Sequence, residues 1–199
     1  MAGMGRLGAN SRRSGRGPHR RRRPGRNNRA DGVAIVTRLL GIDLGERRIG
    51  IALAEGEGSP ARPHSTLKRA ANPERDAAAL AMLIAANQID EVVVGLPLEA
   101  SGSEGPQSTV TRAWASAIAA RLEVPLTFRD ERLTSHVAEG RLGPMKRGRS
   151  GGPPSKTQRD AYRARVDREA AAIILQDELD ARAAGVAGPR TTIAPVEDR

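Results

Sequence analysis

The chain has 199 residues, 38% hydrophobic and 2% aromatic, which suits one globular domain with tails. Cysteine is absent, so a disulfide scaffold, a thiol nucleophile and cysteine-ligated zinc or iron–sulfur chemistry are excluded. Lys and Arg number 33 against 23 Asp and Glu, a formal net charge of +10.

That charge is concentrated at one end. The first 32 residues carry ten arginines against a single acid, Asp31, and the rest of the chain is close to neutral. Residues 1–36 are rich in Gly, Arg, Asn, Ser and Pro and cannot bury enough apolar surface to offset ordering entropy, so a disordered Arg-rich tail is expected. It reads either as an arm that binds phosphates in a salt-sensitive way or as a dispensable stretch ahead of a true start near Val33 or Val36. No apolar core follows the arginines, which argues against a secretory signal. Apolar runs are far shorter than the roughly 20 residues that cross a bilayer, so no membrane partner is expected and the cytoplasm is the expected compartment.

The expected domain spans residues 37–183. It opens with two apolar, β-branched segments joined by the polar turn Leu44-Gly45-Glu46-Arg47-Arg48, a hairpin with Asp43 at the end of its first strand. A third strand is expected over residues 62–67. Asn72-Pro73-Glu74 supplies a cap, a proline and a first-turn acid for a helix that closes near Asn87. Residues 91–95 form a β-branched strand of the kind covered on both faces. A Gly- and Pro-rich loop follows, then a second amphipathic helix marked by Val110, Trp114, Ala117 and Ile118. Residues 125–129 are a strand running into Asp130-Glu131-Arg132, and Thr134 or Ser135 caps a short helix that stops at Gly143-Pro144. Residues 143–159 hold five basic side chains and no acid around Gly-Gly-Pro-Pro, which reads as a mobile basic loop. A last helix is expected over residues 162–183 and a disordered tail over 184–199. Strands alternating with helices after an antiparallel start predict an α/β fold, a mixed five-stranded sheet flanked by helices on both faces.

Four acids stand out by position. Asp43 and the Asp130-Glu131 pair sit where strands end, the ligand-binding edge of an open α/β sheet. Asp167 precedes Ala170, Ala171 and Ile174 by three, four and seven residues and so shares their inward helical face. A buried, unpaired carboxylate costs several kcal/mol, so Asp167 needs a cation. Each acid has a structural alternative: Asp43 as a turn residue, Asp130 or Glu131 in a solvated pair with Arg129 or Arg132, Asp167 favoured by the helix dipole. If the acids converge, a divalent ion satisfies all of them, and oxygen ligands without His or Cys suit magnesium or manganese. His19, His64 and His136 are scattered, with no zinc spacing. Trp114 and Phe128 are expected in the core, and Tyr162 is the aromatic candidate for touching a base.

Four motifs occur in order: Gly41-Ile42-Asp43-Leu44-Gly45-Glu46-Arg47-Arg48-Ile49-Gly50-Ile51-Ala52, then Val94-Gly95-Leu96-Pro97 with Gly102-Ser103-Glu104-Gly105, then Asp130-Glu131-Arg132-Leu133-Thr134 with Ala138-Glu139, and Val166-Asp167 with Ala170-Ala171 and Ile174-Leu175. Together, over about residues 38–179, they resemble the YqgF family, also called RuvX. The resemblance implies an RNase H-like fold and a nuclease that trims the 5′ end of precursor 16S rRNA, related by ancestry to Holliday-junction resolvases. It implies a catalytic set of Asp43, Asp130, Glu131 and Asp167, with Asp43, Asp130 and Asp167 holding one or two Mg2+ or Mn2+ ions. Arg48, Arg132, Arg147 and Lys156 would hold nucleic-acid phosphates, positioning the strand without reading its sequence. The chain departs from the family where Glu99-Ala100-Ser101 stands in place of a frequent Asn-Met-Asp.

The expected partner is nucleic acid, precursor rRNA or branched DNA, bound by a monomer or a homodimer. Two rivals make different demands. A sugar-kinase-like or ATPase fold shares the first motif but needs a second phosphate-binding half, for which the chain is too short. A noncatalytic RNA-binding assembly factor needs the basic segments but not an inward Asp167.

Overall fold

A computed structural model describes residues 37–56, 58–99, 101–131, 134–145, 152–186 and 192–193. The elements, in chain order, are β1 (Arg38–Leu44), β2 (Arg48–Glu55), β3 (Arg62–Lys68), α1 (Pro73–Asn87), β4 (Glu91–Leu96), α2 (Pro106–Ala119), β5 (Leu126–Asp130), α3 (Thr134–Leu142), α4 (Lys156–Ala183) and β6 (Thr192–Ile193).

The sheet runs β3-β2-β1-β4-β5-β6. β1, β2 and β3 are antiparallel neighbours, whereas β4 lies parallel to β1 and β5 parallel to β4. A three-stranded antiparallel meander continued by two parallel crossover strands is the RNase H-like order. The sheet is therefore mixed, as expected, and among the described residues a short sixth strand joins the five expected. The sixth, Thr192–Ile193, pairs antiparallel with β5 from within the segment expected to be a disordered tail. Its β-branched residues pair with Leu126 and Thr127, and Ile193 packs on the core edge.

Strand alternation divides the core in two. Leu40, Ile42, Ile49, Ile51, Val92, Val94, Leu126 and Phe128 face α1 and α2 and enclose Trp114 and Ile118. The opposite phase, Leu39, Ala52, Ala54 and Val93, meets Ala171, Ile174, Leu175 and Leu179 of α4. Trp114 and Phe128 are core residues as predicted; the indole N–H of Trp114 donates to the buried carboxylate of Asp76 at 3.0 Å.

Asn72 caps α1, its side chain accepting from the N–H of Arg75, with Pro73 opening the helix. α4 starts earlier than expected. Ser155 and Gln158 form a reciprocal capping box, so Lys156 and Arg159 belong to the first turn of a helix and not to a mobile loop. Tyr162, the expected base contact, is half-buried against Ala138, Val166, Ala170 and Ile173, and its hydroxyl donates to the carbonyl of Gly143 at 2.9 Å. α3 thereby packs on α4, outside the sheet. No described helix is long and apolar enough to cross a membrane.

Candidate active site

The site lies at the carboxyl ends of β1 and β5, on the α4 side of the sheet. Asp43, in phase with Leu39, is the cross-strand partner of Gly50 on β2. A side chain at position 50 would overlap the backbone carbonyl of Asp167, so glycine there lets α4 settle onto β2. The same contact puts Asp167 over the strand position beside Asp43. Gly95 does the equivalent on β4: a Cβ would collide with the carboxylate of Glu131 and come within 2.6 Å of Ile174. Glu131 follows β5 directly, its N–H donating to Leu96 at 3.0 Å.

Three acids thus share this surface. Asp43 is only 8% exposed. Removal from water, and then the charge of Asp167, push its carboxyl up to about 7, while a hydrogen bond with Glu131 acts in the opposite direction. Glu131 is pushed up to about 9 by removal from water, by the Asp43 charge and by the same hydrogen bond. A bond that favours charged Asp43 and neutral Glu131 has the Glu131 hydroxyl donating to the Asp43 carboxylate. Two acids hold one proton between them, the expected result when like charges meet in a poorly hydrated pocket.

Asp167 has a different solution. Its carboxylate accepts a hydrogen bond from Nε of Arg48, the first residue of β2. Both partners are partly shielded, with side chains 25% and 19% exposed. Among the described residues, no three His, Cys, Asp or Glu side chains are drawn together into a ready metal-holding group.

Of the predicted acids, Glu131 is hydrogen-bonded to Asp43 and Asp167 acts on Asp43 through its charge, without the three closing into one group. Asp130 falls one step out of phase, on the alternation of Leu126 and Phe128, whereas Glu131 keeps phase with Arg129, which pairs with Glu178 of α4 at 3.6 Å. The interactions that shape Asp43 come from Asp167 and Glu131. Arg48 stands at the site and Lys156 beside it; Arg132 and Arg147 lie outside the described residues. In the departing loop, Glu99 is exposed and Glu104 is held by a two-pronged bond from Arg112 at 2.5–2.9 Å, which keeps its carboxyl below the usual range.

A cleft of about 1010 Å³ adjoins Asp167, between the β1–β2 turn, the end of β3 and the first turns of α4. Arg47, Arg48, Lys68, Lys156 and Arg163 line it, against Glu46, Asp160 and Asp167. Lys68 and Arg163 belong to no motif, and Arg47 has no phosphate role in the first motif, because only the packing of α4 over β2 and β3 brings the three into one cleft.

The family profile described as "RuvX: Holliday junction resolvase" matches residues 37–181. A protein of Chloroflexus aggregans named "Putative pre-16S rRNA nuclease" is 43% identical over 144 residues, 72% of this chain and 94% of the relative. A protein of the same name from Anaeromyxobacter dehalogenans is 42% identical over 146 residues, 73% of this chain and 98% of the relative. A solved structure, Thermus thermophilus RuvC in complex with a Holliday junction substrate, aligns at 15% identity and a TM-score of 0.44, covering 74% of this chain and 96% of that one. On the extent of the profile match and the identity to these full-length relatives, the chain belongs to the RuvX family.

Proposed function

We propose that the protein is a divalent-metal-dependent nuclease that hydrolyses phosphodiester bonds in 5′-end maturation of precursor 16S rRNA. The observation that carries this is the hydrogen-bonded pair of Asp43 and Glu131 within electrostatic reach of Asp167, acids far apart in sequence, beside a basic cleft. The names of the curated relatives support the choice of precursor rRNA.

The donor set fits a hard cation. It consists of carboxylate oxygens alone, and two of the three acids share a proton that a stronger positive charge would displace. Asp43, Glu131 and Asp167 are the residues we assign to hold Mg2+ or Mn2+, one ion or two, with Asp43 central; Asp130 of the motif is the reserve candidate. When bound, the ion supplies charge that acidifies water and stabilises the negative oxygens developing at phosphorus. The chain's own contribution is threefold. Burial of Asp43 keeps competing water away from its carboxylate. β1 and α4 hold Asp43 and Asp167 on rigid elements, and Glu131 sits directly after β5. Arg47, Lys68, Lys156 and Arg163 take the substrate's phosphates along the cleft, which sets the strand's position but not its sequence.

Asp43→Asn tests the reading. It should abolish magnesium-dependent cleavage of a precursor 16S 5′ fragment while leaving the protein folded; full residual cleavage would remove Asp43 from the mechanism. The family description favours a second substrate, a four-way DNA junction. Assaying the RNA fragment and a junction side by side, with a mass measurement in solution, separates the two. Symmetric cutting of a junction needs a homodimer, whereas trimming one RNA end needs only a monomer. Tight RNA binding without any metal-dependent product would instead identify a noncatalytic assembly factor.

A further inference from the structure

We propose that Arg48 is a resident counterion that occupies Asp167 until a divalent cation arrives and is then released into the neighbouring cleft, so that metal loading adds a phosphate-binding group to the substrate track. The inference rests on the metal-site reading above and concerns a role for Arg48 that the reading does not contain.

The geometry is direct. Arg48 begins β2 and Asp167 lies in α4, 119 residues later, yet the guanidinium Nε bonds the carboxylate. That carboxylate is also the charge that raises Asp43, so it is within electrostatic reach of the acid pair. Asp167 cannot give the same oxygen fully to a guanidinium and to a metal ion, so the two cations compete. Arg48 has somewhere to go: it already lines the cleft, as does Asp167, and the cleft's other wall carries Lys156 and Arg163. Its side chain is 25% exposed, so leaving Asp167 requires no opening of the core. A guanidinium released there meets phosphate with the paired donors that suit it. The order of events follows from charge alone. Without a metal, Arg48 screens Asp167; with a metal in place, the dication repels Arg48 toward the anions of the cleft, where an entering phosphate joins Glu46 and Asp160.

The test is Mn2+ binding to the full chain by calorimetry, which reads loading and not turnover. Arg48→Gln removes the competitor and should bind Mn2+ about five- to tenfold more tightly than the wild type. Asp43→Asn and Asp167→Asn should bind it more weakly. Weaker binding in both Asp variants together with unchanged or weaker binding in Arg48→Gln would overturn the counterion role and leave the metal site standing. Unchanged binding in both Asp variants would overturn the metal-site reading and this inference with it. A second measurement needs no variant to fold. In the wild-type protein the Arg48 Nε–H resonance should lose its protection from solvent exchange on addition of Mg2+; protection retained at saturating Mg2+ would also overturn the proposal.

Discussion

Asp43 and Glu131 show what burial does to two neighbouring carboxyls. Free carboxyls titrate near 4, whereas in the fold these two are pushed up to about 7 and about 9. Each therefore binds its proton more tightly folded than unfolded. The stability this brings is complete below about pH 4 and is lost as pH rises through the two folded values. Without divalent ions, thermal melts should fall progressively between about pH 5 and about pH 9, and added Mg2+ should restore much of the loss at the alkaline end. Glu131→Gln should flatten the upper part of that profile; an identical fall in the variant would show that the dependence arises elsewhere. Residue by residue, the site was unevenly legible. Asp167 could be read from spacing, since Ala170, Ala171 and Ile174 are all fully buried on its face. The choice between Asp130 and Glu131 could not, because an error of one residue in strand phase moves a side chain to the other face. The partnership of Arg48 with Asp167 spans most of the domain and leaves no local trace in the chain.

At the scale of elements, α4 is the part that makes the site. Its close approach to β2 depends on Gly50, where any side chain would run into the backbone of Asp167. Gly50→Ala should cost about 1–3 kcal/mol in urea unfolding, the usual range for overpacking a rigid contact. The same displacement should weaken Mn2+ binding, although Gly50 offers no ligand. A variant with native stability and native Mn2+ affinity would mean that the helix can shift without consequence. Most elements were legible because caps and breakers bracket them, as Asn72-Pro73 does for α1. The start of α4 carries a capping-box pattern in Ser155-Lys156-Thr157-Gln158, but the neighbouring Gly and Pro residues give the same stretch the signature of a loop. β6 had no such signature: a two-residue strand owes its place to the β5 edge it covers, not to its own pattern.

The whole molecule separates its charges by role. Ten arginines sit in the first 32 residues, while the rest of the chain is nearly neutral and sets Arg47, Arg48, Lys68, Lys156 and Arg163 along one cleft. If the Arg-rich segment is a nonspecific arm, deleting residues 1–36 should weaken RNA binding and flatten its salt dependence, by about 0.7 in log–log slope for each single-strand phosphate the arm neutralises, with the thermal melt unchanged. An unaltered slope would assign the segment no part in binding. At the far end of α4, Arg182, itself only 8% exposed, pairs with Glu91 at 2.6 Å and with Glu178 at 2.8 Å. This cluster fastens the helix to β4, well away from Asp43, Glu131 and Asp167.

Residues 156–161, at the opposite end of the same helix, are exposed throughout. The helix is thus moored at its tail while its bow overhangs the groove. Substitutions in that overhang should therefore change how phosphates are held in the cleft while leaving the packed sheet and Asp43, Glu131 and Asp167 undisturbed.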